Sequence, residues 1–202
     1  MTTSDKPYHG FPVPWWISSD SRFTLNERLM LAFLVDEIPK SGNPLTLTDK
    51  FLTERFGWSR KTSHLTIKSL CEKHLVRCTY PRRKGLRSPL RTVEVNLHRL
   101  SEIKAAYGNG ADRCWWWDYS LVTNTDFGTR EIATYGIIRE FARTQEYLSR
   151  SQLRKLAGIS ADSEELFVRK FRDLGLITVK HSKPSKGTVR TFSVNTSAAV
   201  LI

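Results

Sequence analysis

Apolar residues recur along the chain first at helical spacing and then at strand spacing, and this alternation occurs twice. Thr24-Leu25-Asn26-Glu27 sets a hydroxyl and a carboxylate where they satisfy free backbone N–H groups, a capping box that opens a helix. That helix is predicted to run to Ile38 and to stop at Pro39. Its middle, 29–35, is seven consecutive apolar residues, the pattern of a helix buried on several sides, against its own half of the chain and the other. A second helix is predicted from Thr48 through Phe51, Leu52 and Phe56 to Gly57. After the turn Gly57-Trp58, Ser59 caps a third that reaches about Lys73. Ser63, Thr66, Ile67 and Leu70 form its core face by their i, i+3, i+4, i+7 spacing. A strand at 75–80, a basic loop at 81–91 and a returning strand at 92–97 follow.

The second half repeats the plan. Residues 129–141 read as a helix, Ser149 with Gln152 as another capping box, and Gly158-Ile159-Ser160 as the turn. A third helix at 161–174 ends at Gly175, and strands at 176–181 and 188–195 flank a loop at 182–187. At an offset of 101, Leu47 matches Leu148, Leu52 matches Leu153, Gly57 matches Gly158, Ser59 matches Ser160, Leu65 matches Leu166 and Leu75 matches Leu176. Trp15-Trp16 recurs as Trp116-Trp117 at the same offset, and 91–96 resembles 190–195 at an offset of 99. These matches fall on turn glycines, caps and periodic apolar positions, so the chain reads as two copies of one fold. The organisation expected is an extended arm over 1–14, a first unit over 15–100, a linker over 101–113 that opens as a short helical tail, and a second unit over 114–202. So short a linker keeps the units together. Helix, helix, turn, helix and hairpin is the order of a winged helix-turn-helix. The fold class expected is α+β, mainly helical, with two tandem winged helix-turn-helix units packed as a pseudo-dimer.

Leu25-Asn26-Glu27-Arg28-Leu29 followed by Gly57-Trp58-Ser59-Arg60-Lys61-Thr62 resembles the helix-turn-helix domains of plasmid and phage DNA-binding proteins. In that family a Gly-x-Ser-basic-basic-Thr turn opens the recognition helix. Tandem copies in one chain are similar to two groups of mobile-element proteins. One is the conjugative-transfer regulators built as an internal winged-helix dimer; the other is the plasmid replication initiators with two winged helices. The resemblance implies a sequence-specific double-stranded DNA-binding protein acting as a transfer or transcription regulator or accessory factor. The alternative is a replication initiator that binds origin repeats, although this chain leaves little sequence for helicase loading.

Charge fits such a partner. The 202 residues carry 32 Lys+Arg against 20 Asp+Glu, a net +12, and 40% hydrophobic residues give material for a core. No apolar run is long enough to span a membrane, and the polar N-terminus lacks a signal-peptide core. Three cysteines, Cys71, Cys78 and Cys114, fit a reducing cytoplasm, where nucleoid or plasmid association is expected. In the first unit the candidate DNA contacts are Thr48, Ser59, Arg60, Lys61, Thr62, His64 and Lys68, with Arg82, Arg83, Lys84, Arg87 and Arg91 on the basic loop. Arginine and lysine donate to guanine O6 and N7, and loop cations can lie on phosphates or in a narrow minor groove.

In the second unit the candidates are Arg150, Arg154, Lys183, Lys186 and Arg190. Its third helix opens Ala161-Asp162-Ser163-Glu164-Glu165, with acids where the first has Lys61, Ser63 and His64. Residues 1–101 hold 17 basic and 9 acidic side chains, and 102–202 hold 15 and 11. The first unit is therefore the expected reader, and the second is expected to hold DNA by backbone contacts or to bind a replication or transfer protein. The tryptophans precede the first helix of each copy, a place for packing rather than for stacking on bases. No G-x-x-x-x-G-K loop or His-x-His pair is present. Cys71, His74 and Cys78 straddle a helix end and a strand with no matching second pair, so no enzyme activity, metal or cofactor is expected. The rival class is a protein-interaction scaffold, since tandem winged helices of similar length occur in chromosome-condensation complexes; the net charge speaks against it.

Overall fold

The computed structural model describes residues 10–80, 90–108, 112–124, 126–182 and 189–195. They form a mainly helical α+β protein with small antiparallel sheets. The chain divides into two compact units, a first of Phe11–Arg113 and a second of Cys114–Ile202 with Met1–Gly10.

The first unit opens with β1 (Gly10–Pro14) and a short helix α1 (Trp15–Ser18), which lead into α2 (Leu25–Ser41). The capping box is present at the start of α2: Thr24 N donates to Glu27 Oε2 at 2.6 Å, and Glu27 N to Thr24 Oγ1 at 3.4 Å. The helix does not stop at Pro39 but runs through it to Ser41. A proline in the last turn forfeits only its own N–H bond, and the turn beyond still closes, with Gly42 N donating to Ile38 O at 2.9 Å. Helix α3 (Asp49–Phe56) is capped by Thr48, whose hydroxyl accepts from Phe51 N, and ends on Gly57 in the left-handed conformation. Helix α4 (Arg60–Glu72) is capped by Ser59 and buries Ser63, Thr66, Ile67 and Leu70, the face its spacing predicts. An aromatic core fixes the α3–α4 turn: Phe56 stacks on Trp58 at 4.2 Å, and Phe33 and Phe11 meet Phe56 edge-on.

Strands β3 (Val76–Thr79) and β4 (Arg91–Val95) form the expected hairpin, and a short strand β2 (Leu45–Leu47) pairs with β4 to give the sheet order β2-β4-β3. Helix α5 (Leu97–Tyr107) follows, with Leu100 and Ile103 buried, so the helical tail read at the start of the linker belongs to a packed helix that begins four residues earlier.

The second unit repeats this order as β5 (Cys114–Asp118), α6 (Tyr119–Asn124), α7 (Thr129–Thr144), α8 (Arg150–Ala157), α9 (Ala161–Asp173), β6 (Ile177–Ser182) and β7 (Val189–Val194). A single bridge, Leu148 to Arg190, stands where Leu47 pairs with Arg91 in the first unit. The offset between matching elements is not constant: 104 from β1 and α2 to β5 and α7, 101 from α3 and α4 to α8 and α9, and 99 from Arg91 to Arg190. The tryptophan repeat at 101 therefore pairs unlike positions. Trp15-Trp16 lies in α1, whereas Trp116-Trp117 lies in β5. Trp15, Trp16, Trp115 and Trp117 are all buried.

At the offset of 104 Phe23 and Glu27 match Phe127 and Glu131, the ring and acid of a clasp that ties α4 or α9 to the start of α2 or α7, whereas the lysines that complete it stand at an offset of 97. In the first unit Glu27 accepts from Lys73 Nζ at 2.5 Å and from Ser69 Oγ at 2.6 Å, and Lys73 lies over the Phe23 ring. In the second, Lys170 Nζ donates to Glu131 at 2.6 Å and lies over the Phe127 ring. Each clasp fixes how the outer face of α4 or α9 is presented.

Candidate nucleic-acid interface

With one face of α4 buried, the residues on the other are set by the helical repeat. Arg60, Lys61, His64, Leu65 and Lys68 are all exposed. At 1.5 Å per residue, 60 to 68 spans about 12 Å, close to the width of the major groove of B-DNA. Arg60 Nε lies 3.1 Å from Oδ2 of the partly exposed Asp49, and Lys68 Nζ lies 3.8 Å from Glu72 at the surface. Exposed pairs of this kind are weak and open readily to a polyanion. Thr48 and Ser59 are helix caps; their oxygens accept from Phe51 N and Thr62 N, and the Ser59 and Thr62 hydroxyls also bond each other at 3.0 Å.

Arg91 and Arg190, expected on the DNA-facing loops, are instead held inside the protein. The Arg91 side chain is 6% exposed, and its Nη2 donates to Asp49 Oδ1 at 2.5 Å. The Arg190 side chain is 7% exposed, and its Nη2 lies 2.7 Å from Glu164 Oε1, a pairing of charges rather than an aligned hydrogen bond. Each begins the inward-facing parity of its strand, shared with Val93 and Val95 in β4 and with Phe192 in β7. A buried guanidinium requires a carboxylate beside it.

The two units supply that carboxylate from different helices. In the first it is Asp49, at the start of α3, which holds both Arg91 and Arg60. In the second it is Glu164 of α9, fully buried at the place of Ser63, and it holds both Arg190 and Arg150. Arg150, at the place of Asp49, donates its Nε to Glu164 at 2.9 Å, and this bond and the charge behind it raise the Arg150 pKa. Glu164 thus points away from the outer face of α9. Glu165 remains on it but lies 3.3 Å from Arg169 and 3.6 Å from Arg150. Asp162 is exposed and makes no ion pair among the described residues. Arg154 is half-buried, with its Nε donating to the Arg150 carbonyl at 3.2 Å.

Beside α9, a cleft of about 670 Å³ is lined by Arg150, Glu165, Arg169, Arg172, His181 and Arg190. Sequence reasoning read His181 as part of a basic wing but missed Arg169 and Arg172, because these become its neighbours only when the helix and the hairpin pack. Arg82, Arg83, Lys84 and Arg87 lie in 81–89, and Lys183 and Lys186 in 183–188, outside the described residues. Cys71 and Cys78 are half-buried thiols whose pKa values burial pushes up. No group of three metal-ligating side chains, and no helix long and apolar enough to cross a membrane, occurs among the described residues. No protein-family model and no curated protein matches the chain.

Proposed function

We propose that the chain is a sequence-specific double-stranded DNA-binding protein built of two tandem winged helix-turn-helix units. It serves a plasmid or other mobile element as a transfer or transcription regulator and acts by binding rather than by catalysis. The observation that carries this reading is the outer face of α4, where Arg60, Lys61, His64 and Lys68 stand exposed opposite a fully packed inner face. The strand β2 beside the β3–β4 hairpin supports the winged arrangement, and the Leu148–Arg190 bridge supports a second copy of it. In this reading α4 enters the major groove with its first turns at the base edges. The second unit contributes Arg150, Arg169 and Arg172 toward phosphates.

The test is binding of the full chain to a random duplex library at two salt concentrations. Affinity should fall by orders of magnitude between about 50 and 200 mM salt, with a log–log slope of about 0.9 per phosphate contact. Binding insensitive to salt, or no binding to any duplex, would overturn the reading and favour a protein partner for these faces.

A further inference from the structure

The third helix of each unit carries one large apolar side chain on its outer face. Leu65 is 52% exposed on α4, and Leu166 is 59% exposed on α9, at matching positions. A lone exposed leucine needs no explanation, but this one recurs while its neighbours do not. Lys61, one turn before Leu65, becomes Asp162, and the adjacent His64 becomes Glu165. Lys68, one turn after, stays a cation as Arg169. What the two outer faces share is therefore a leucine followed one turn later by a cation.

We infer that Leu65 and Leu166 each contact the 5-methyl group of a thymine in the major groove. The inference rests on the DNA-binding reading above and deepens it. Of the groups that base pairs display in that groove, the thymine methyl is the apolar one, and apolar side chains recognise it by contact. Lys68 and Arg169 lie where they can reach a backbone phosphate while the leucine faces the base edge, so the shared pair suits a polyanion with apolar spots along its groove. In the first unit, Lys61 and His64 would then distinguish the bases on either side of its thymine.

The experiment begins with a duplex selected from a random library by the full chain. Each of its thymines is replaced in turn by deoxyuridine, which deletes the methyl group and nothing else. At one or more thymines the replacement should weaken binding by the wild-type chain about three- to fivefold, the order expected for one buried methyl. At those positions Leu65→Ala or Leu166→Ala should abolish the effect while leaving the other thymines as they were. Both leucines are exposed, so the variants should keep the wild-type melting temperature. If the selected duplex binds but deoxyuridine has no effect, or has the same effect in both variants, the thymine contact is wrong and the DNA-binding reading stands. If no duplex binds, both fail.

Discussion

The acid that neutralises the buried strand arginine belongs to α3 in the first unit and to α9 in the second, and the surfaces differ accordingly. Asp49 leaves position 63 of α4 to a serine, and the outer face beyond it is cationic. Glu164 takes the equivalent place on α9, and a cation, Arg150, stands where Asp49 would be. A buried arginine at the head of the returning strand requires an acid, but either helix can provide it. The surface charge of a third helix is thus settled partly by a pairing beneath it. Counting acids along α9 overstates its repulsion of DNA, because Glu164 is inside and Glu165 lies between two arginines.

The largest effect should come from removing the more deeply buried acid. Glu164→Ala leaves Arg190 uncompensated and should lower stability by about 3–5 kcal/mol. Asp49→Ala should cost less, since Asp49 is partly exposed. Thermal melts of the two variants rank them, and equal losses would show that the two pairs are equivalent. A smaller contrast lies in the first helices. Ala32 of α2 corresponds to Gly136 of α7, where a Cβ would lie 2.7 Å from the Trp116 carbonyl oxygen. Gly136→Ala should destabilise by about 1–3 kcal/mol, as overpacking does, measured by urea titration.

On DNA, Arg60→Ala or Lys61→Ala should cost about 1–3 kcal/mol on the selected site and less on random duplex. Asp162→Ala should leave binding nearly unchanged. Equal losses from α4 and α9 in a matched binding series would mean that both helices read bases alike. The mildest effect concerns pH. Burial pushes the Glu27 carboxyl up, but bonds from Lys73, Ser69 and Thr24 outweigh it and hold its pKa below the ordinary value. A depressed folded pKa means that the contribution is complete above the unfolded value, near 4.5, and is lost as pH falls through the folded one. The melting temperature should therefore fall on acidification below about pH 4.5, and Glu27→Gln should flatten that part of the curve.

Caps, turn glycines and the buried face of α4 were legible because each depends on residues within one or two turns of one another. Strand β2 was not, since three residues carry too little alternation to stand out. The tryptophan match misled for a different reason: composition repeated while position did not, and the longer α2–α3 connection of the first unit shifts the register. At the site, the exposed cations of α4 followed from helical spacing alone. The inward turn of Arg91 could have been read from its parity with Val93 and Val95. Its partner could not, because Asp49 lies 42 residues away on another element.

The displaced acid also constrains history. If the two units descend from one ancestor, the carboxylate did not move in a single step. Loss of the old acid before gain of the new would have stranded a charged arginine in the interior, which selection against unfolding would remove. Gain before loss passes instead through a form with acids on both helices facing a shared arginine, a crowded but neutralisable state. Gain therefore precedes loss whichever acid is the older, and a chain carrying Ser63→Glu beside an intact Asp49 represents the intermediate through which such a lineage would have passed.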